Sequence, residues 1–166
     1  MRIYSLSMED HAILLKLAVD MQSLTIPFEP SVFNGTGDEP RKGIAFNITH
    51  EILEAVAQLE DTCRQLLGET IPNVEALWCS SVKPSEKYST TLKAKINVSG
   101  PRVCPFFDEA NKPAEAPIAW KGLPVNAVVS IRGCYSQRQG VGMILEVVAL
   151  QYGTKVSAAV IPASPF

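Results

Sequence analysis

The sequence predicts a mainly β domain with one main helix, and three observations carry that expectation. Residues 88–98 alternate apolar and polar side chains with a period of two, the mark of a strand with one face buried. Residues 124–135 and 141–152 are two long β-type runs, joined by a short polar link that ends in Gly140. Between residues 50 and 67 the apolar residues instead recur at steps of three and four, the helical period. A chain of 166 residues suits one domain with a full core. At 46% hydrophobic and 19% charged, its composition is globular and not disordered.

Taken in order, residues 12–19 (AILLKLAV) form a short apolar run expected as a strand, with helix as the alternative. Pro27 and Pro30 make the next segment extended, because each proline fixes its own φ and restricts its predecessor. Residues 34–40 have loop composition, and 43–48 (GIAFNI) form a second strand. Thr49 caps a helix starting at His50, with Glu51 near its positive end. Ile52, Leu53, Val56, Leu59, Cys63, Leu66 and Leu67 form its apolar stripe, expected as core, and Gly68 its stop. Trp78 is assigned to core. The alternating strand 88–98 follows, then a Gly100-Pro101 turn, a short strand through Phe106 and Phe107, a polar turn and an extended, exposed stretch at 113–117. In the final hairpin the second run is apolar on both faces, so it is expected to be central and covered on both sides. Gly133 marks a bulge or bend in the first run.

Charge is unevenly spread. The net charge is −2, yet residues 83–138 hold nine Lys or Arg against four acids, so the remainder carries a surplus of seven negative charges. Such a basic half can focus an anionic ligand on an acidic protein, or its cations can simply solvate strand faces. The four cysteines, at 63, 79, 104 and 134, form no CxxC pair, and neither His11 nor His50 lies near one in sequence. They are expected as structural thiols in a reducing compartment, with no metal and no cofactor. No GxSxG, HExxH, phosphate-binding loop or dinucleotide motif occurs, so no catalytic residue is assigned. No apolar run of about 18 residues and no signal-like N-terminus is present, and an intracellular, soluble protein is expected.

The polar side of strand 88–98 carries Lys93 and Lys95 on one face, candidates for phosphate contact. Arg132 either contacts phosphate or pairs with Glu146 on the neighbouring strand. Tyr135 shares a face with Val129 and Ile131 by simple alternation; it either stacks a base or is buried with only its hydroxyl exposed. Trp120 stands in a loop before Lys121 and Gly122, where an exposed ring implies a function. Phe106 and Phe107 point to opposite faces, so one is core. Lys87, Lys121 and Arg138 complete the candidate set. Cations for phosphates, rings for bases and a sheet to hold both are what a single-strand binder needs.

Five stretches carry a family resemblance: FNIT (46–49) with the helix after it, KYSTTLKAKINVS (87–99), PFFDEANKP (105–113), APIAWKGLPVNAVVSIRGCYS (116–136) and GVGMILEVVALQYG (140–153). In this order and spacing they resemble the single-stranded DNA-binding proteins of short-tailed coliphages and the related proteins of large DNA viruses. The stretches cover roughly residues 43–152, and the resemblance implies an OB fold, a five-stranded Greek-key barrel with a helix at one end. One domain is expected over 1–153, with 154–166 as a C-terminal tail. It implies non-enzymatic binding of single-stranded DNA in replication, recombination or repair, by a viral or phage protein acting in the host cell. Its further implied partners are replication or recombination proteins and a second copy of the chain. The family's acidic tail is missing here: residues 157–166 contain no acid, although a terminal phenylalanine is retained. An OB-like structural or protein-interaction module without nucleic-acid binding remains the alternative.

Overall fold

Backbone pairing decides the architecture, which the computed structural model describes for residues 4–9, 12–17, 24–32, 39–87 and 89–153. Strands β1 (Tyr4–Glu9), β2 (Ala12–Leu17) and β3 (Arg41–Asn47) precede helices α1 (His50–Gly68) and α2 (Val74–Leu77). The short β4 (Val82–Lys83) leads to β5 (Thr91–Asn97), β6 (Phe106–Phe107) and β7 (Pro113–Ala114). The long arms β8 (Val125–Gln137) and β9 (Gly140–Tyr152) complete the chain. Their order in the sheet is β1-β2-β8-β9-β5-β3. β9 runs parallel to β5 and β6, and the other strand pairs are antiparallel.

Residues 24–31 form a strap that joins β3, at one end of this sheet, to the start of β8. On one side Asn47 N donates to Thr25 O at 2.9 Å, and Ser31 and Gly43 exchange bonds of 3.0 and 2.8 Å. On the other side Ile26 N donates to Leu123 O and Val125 N to Leu24 O, both at 3.1 Å. The cycle strap-β3-β5-β9-β8 is a five-stranded barrel of the OB type. Its interior is built by alternation: Ile44 and Phe46, Leu92, Ala94 and Ile96, Val125, Ala127 and Val129, and Met143, Leu145 and Val147 all point inward.

Helix α1 begins where the sequence predicts, with Thr49 Oγ1 accepting from Ile52 N at 3.4 Å. Ile52, Ala55 and Val56 reach the core, but no residue of α1 beyond Glu60 is buried. Leu66, expected as core, is 64% exposed. The buried residue at the end of the covered stretch is a carboxylate instead. Glu60 accepts from Trp78 Nε1 at 2.5 Å and from Ser80 Oγ at 2.7 Å, which satisfies both oxygens. Trp78 is accordingly half-buried at the rim, with the Arg64 guanidinium over its ring, and not a core residue.

Three further expectations change. β9 is central, between β8 and β5, but it is not covered evenly on both faces: Val141, Met143, Leu145 and Val147 are buried, as are Gly140, Gly142 and Leu150, while Ile144 and Glu146 are half-buried. Thr91, placed on the polar face by alternation, is buried because Asn47 and Lys83 pair with it on both sides. The bulge at Gly133 is present, with φ 142°, and it shifts the register between Ile131 and Gly133. That shift turns Tyr135 away from the face of Val129 and Ile131, onto the face of Gly142. Tyr88 and the tail 154–166 lie outside the described residues.

Candidate nucleic-acid interface

The outward residues of β5 form the centre of the site. Lys93 and Lys95 are exposed there, between the buried Leu92, Ala94 and Ile96. β3 sets Ala45 opposite Lys93, Gly43 opposite Lys95 and Arg41 opposite Asn97. The two small neighbours leave the lysines room to lie across the sheet. Lys95 uses that room: a Cβ at Gly43 would stand 3.9 Å from its Nζ.

On the other side of β5, β9 brings Glu146 into register with Lys95. The Glu146 carboxylate is 18% exposed and faces three donors: Arg41 Nη1 at 3.5 Å, Arg132 Nε at 3.5 Å and Asn97 Nδ2 at 3.4 Å. Arg41 and Arg132 therefore share a single carboxylate, while Lys93 and Lys95 stand beside it on β5. Pairs this long, with half-exposed guanidinium groups, are weak, typically about 0–1 kcal/mol, so a phosphate can compete for either arginine. Arg132 thus takes up the cross-strand pair with Glu146 that the sequence offered. Sequence reasoning missed Arg41, because the strand was expected to begin at Gly43. Alternation extended back by two residues would have found it.

Five other acids lie elsewhere. Glu51, Glu54 and Asp61 are exposed on α1, with Glu69 just beyond it and Glu75 on α2. They stand on the helical part of the fold, whereas Arg41, Lys93 and Lys95 stand on the β3–β5 face. OB barrels bind oligonucleotides across the equivalent face.

The aromatic candidates separate from it. Trp120 is 6% exposed, and its ring meets that of Phe106 edge-on at 5.7 Å. The loop turns inward because Glu29 ties it down: the Glu29 carboxylate accepts from Trp120 N at 3.0 and 3.1 Å and from Lys121 N at 3.0 Å. Trp120 and Phe106 are therefore core residues, contrary to the expected exposed Trp120 ring. Phe107 is half-buried on β6, in register with Gln151, about 16 Å along β9 from Glu146.

Tyr135 lies over Gly142, where a Cβ would come within 2.9 Å of the ring and 2.8 Å of the hydroxyl. Partial burial, with the Cys79 thiol beside it, raises the Tyr135 hydroxyl above its usual range. Arg138 is exposed in the turn between β8 and β9, Lys87 in the loop before β5, and Lys121 beside the Glu29 anchor. The structure thus groups Lys93, Lys95 and Arg132 with Arg41, and leaves the other candidates outside that cluster.

Two thiols, those of Cys104 and Cys134, are held in their protonated form. Burial, then the charge of Glu146, pushes the Cys104 thiol up to about 12. Burial, then the adjacent Cys63, pushes Cys134 up to about 11. Among the described residues, no group of His, Cys, Asp and Glu is placed to hold a metal, and no helix is long and apolar enough to cross a membrane.

No protein-family model matches the chain, and no curated protein matches it in sequence. Solved structures do share its fold. The single-stranded DNA-binding protein gp2.5 of bacteriophage T7 superimposes with a TM-score of 0.63 at 14% identity, over 93% of this chain and 98% of that one. A C-terminal truncation of the single-stranded DNA-binding protein of bacteriophage Enc34 gives 0.59 at 12% identity, over 93% and 96%. The Enc34 protein in complex with single-stranded DNA gives 0.53 at 12% identity, over 91% and 94%. The chain has the OB-type fold of these phage proteins, across nearly their whole length.

Proposed function

We propose that this protein binds single-stranded DNA without chemistry, in replication, recombination or repair, and that the strand lies across the outer face of β3 and β5. The observation that carries this reading is the cluster of Arg41, Lys93, Lys95 and Arg132 on the face by which OB barrels hold oligonucleotides. Its support is the fold shared with phage proteins that bind single-stranded DNA, one of them solved with its ligand. In this reading Lys93 and Lys95 take phosphates directly, and the two arginines exchange Glu146 for phosphate. Lys87, in the loop before β5, and Arg138, in the turn before β9, extend the positive field at the end where these parallel strands begin. Tyr135 contributes through whatever part of its ring Gly142 leaves open.

The direct test is amide chemical-shift mapping with an oligo-dT. Shifts concentrated in 41–47 and 91–97 support the reading; shifts confined to α1 or to the tip of the hairpin contradict it. The second reading is a protein-interaction module, and Leu66, exposed near the end of α1, is the observation that favours it.

A further inference from the structure

Phe28 is an exposed aromatic ring, at 54% exposure, and it stands on the strap, not in a free loop. Its position is held at several points. Pro27 and Pro30 fix φ on both sides of it. Glu29, the next residue, is bonded through its carboxylate to the backbone of Trp120 and Lys121. Thr25 and Ser31 are tied to Asn47 and Gly43 of β3. Between those two ties the strap is two residues longer than the stretch of β3 it faces, so it cannot remain in the ladder throughout, and Phe28 falls in the middle of the excess. A ring held open in this way stays about half exposed, and the ordering of its backbone is supplied by its neighbours.

Its surroundings identify a ligand. The strap lies beside Ala45, and the other neighbour of Ala45 is Lys93. Two strand spacings separate the strap from the lysine row, about 10 Å, which a single strand crosses in about one or two nucleotides. Phenylalanine offers a π-face and no hydrogen-bonding group, so it receives any base alike.

We propose that Phe28 is a base-stacking platform for single-stranded DNA whose phosphates lie on Lys93 and Lys95. The proposal rests on the function proposed above and supplies the aromatic surface that Trp120 and Phe106, being core, do not. The test is titration of a labelled oligo-dT, at several salt concentrations, into the wild-type chain, Phe28→Ala, Phe28→Tyr and the Lys93→Ala/Lys95→Ala pair, each with a melting curve. Phe28→Ala should weaken binding roughly five- to a hundredfold with an unchanged salt slope, and Phe28→Tyr should bind like wild type. Wild-type affinity in Phe28→Ala beside a loss in the lysine pair overturns the platform and leaves the proposed function standing. Absence of binding by the wild-type chain overturns both. Phe28→Trp gives an independent reading if the alanine variant fails to fold: its emission should change on adding oligo-dT above the background of buried Trp120 and half-buried Trp78. Emission equal to that background in the bound state contradicts the proposal.

Discussion

Arg132 and Glu146 face each other across β8 and β9, with Nε 3.5 Å from Oε2, and the same oxygen stands 3.5 Å from Arg41 Nη1. One carboxylate therefore occupies two of the four cations on the proposed DNA face. Any phosphate that binds either arginine does so in competition with it.

Glu146→Gln removes that competition and keeps an acceptor for Asn97 Nδ2. It should strengthen single-stranded DNA binding several-fold. The salt dependence should steepen by up to about 0.7 log units per decade for each additional phosphate engaged. Anisotropy titrations of wild type and variant at matched salt concentrations measure both quantities. Equal or weaker binding by the variant would show that the arginines do not meet the strand.

Replacing Lys93 and Lys95 together by alanine should weaken binding roughly tenfold or more and flatten the salt slope. Both are exposed strand residues, so the melting temperature should change little. Unchanged affinity would move the site off β5, and a collapsed melting temperature would make the lysines structural.

Trp120→Ala should act on stability and not on stacking. Its buried ring packs edge-on against Phe106, and removal of such a side chain costs about 3–5 kcal/mol. Denaturant unfolding measures the loss. A variant as stable as wild type but deficient in DNA binding would return Trp120 to the interface.

The period-two and helical patterns made the main elements legible in the sequence: β5, the β8–β9 hairpin, and α1 with its Thr49 cap all follow from local residue order. The outward placement of Lys93 and Lys95 follows from the same alternation. Trp120 was not legible, because the feature that turns its ring inward is a carboxylate 91 positions earlier. Tyr135 changed faces through a single bulge at Gly133, whose presence was foreseen but whose effect on later residues was not followed. Buried Glu60 carries no local signal either; its partners Trp78 and Ser80 reach it only after the chain turns back from α2. Phe28 passed unremarked because proline-rich segments read as connections, whereas here one closes the barrel.

The Cys134 thiol, raised from 9.0 to about 11 by burial and by Cys63, should react slowly with iodoacetamide despite its exposure. At pH 8 its rate should be about a hundredfold below that of a thiol of ordinary pKa, since only the thiolate attacks, and it should climb as pH approaches 11. Peptide-level mass spectrometry after timed alkylation follows it. Labelling as fast as a small-molecule thiol would mean that Cys63 does not hold it.

Equilibrium titration of one labelled oligonucleotide, single-stranded and then annealed to its complement, tests the central claim most directly when run at low and at raised salt. Tighter binding of the single strand is expected, with little dependence on sequence. Its affinity should fall with salt by about 0.7 log units per decade for each phosphate neutralised. Equal affinity for single strand and duplex, or no binding at low salt, would contradict the account.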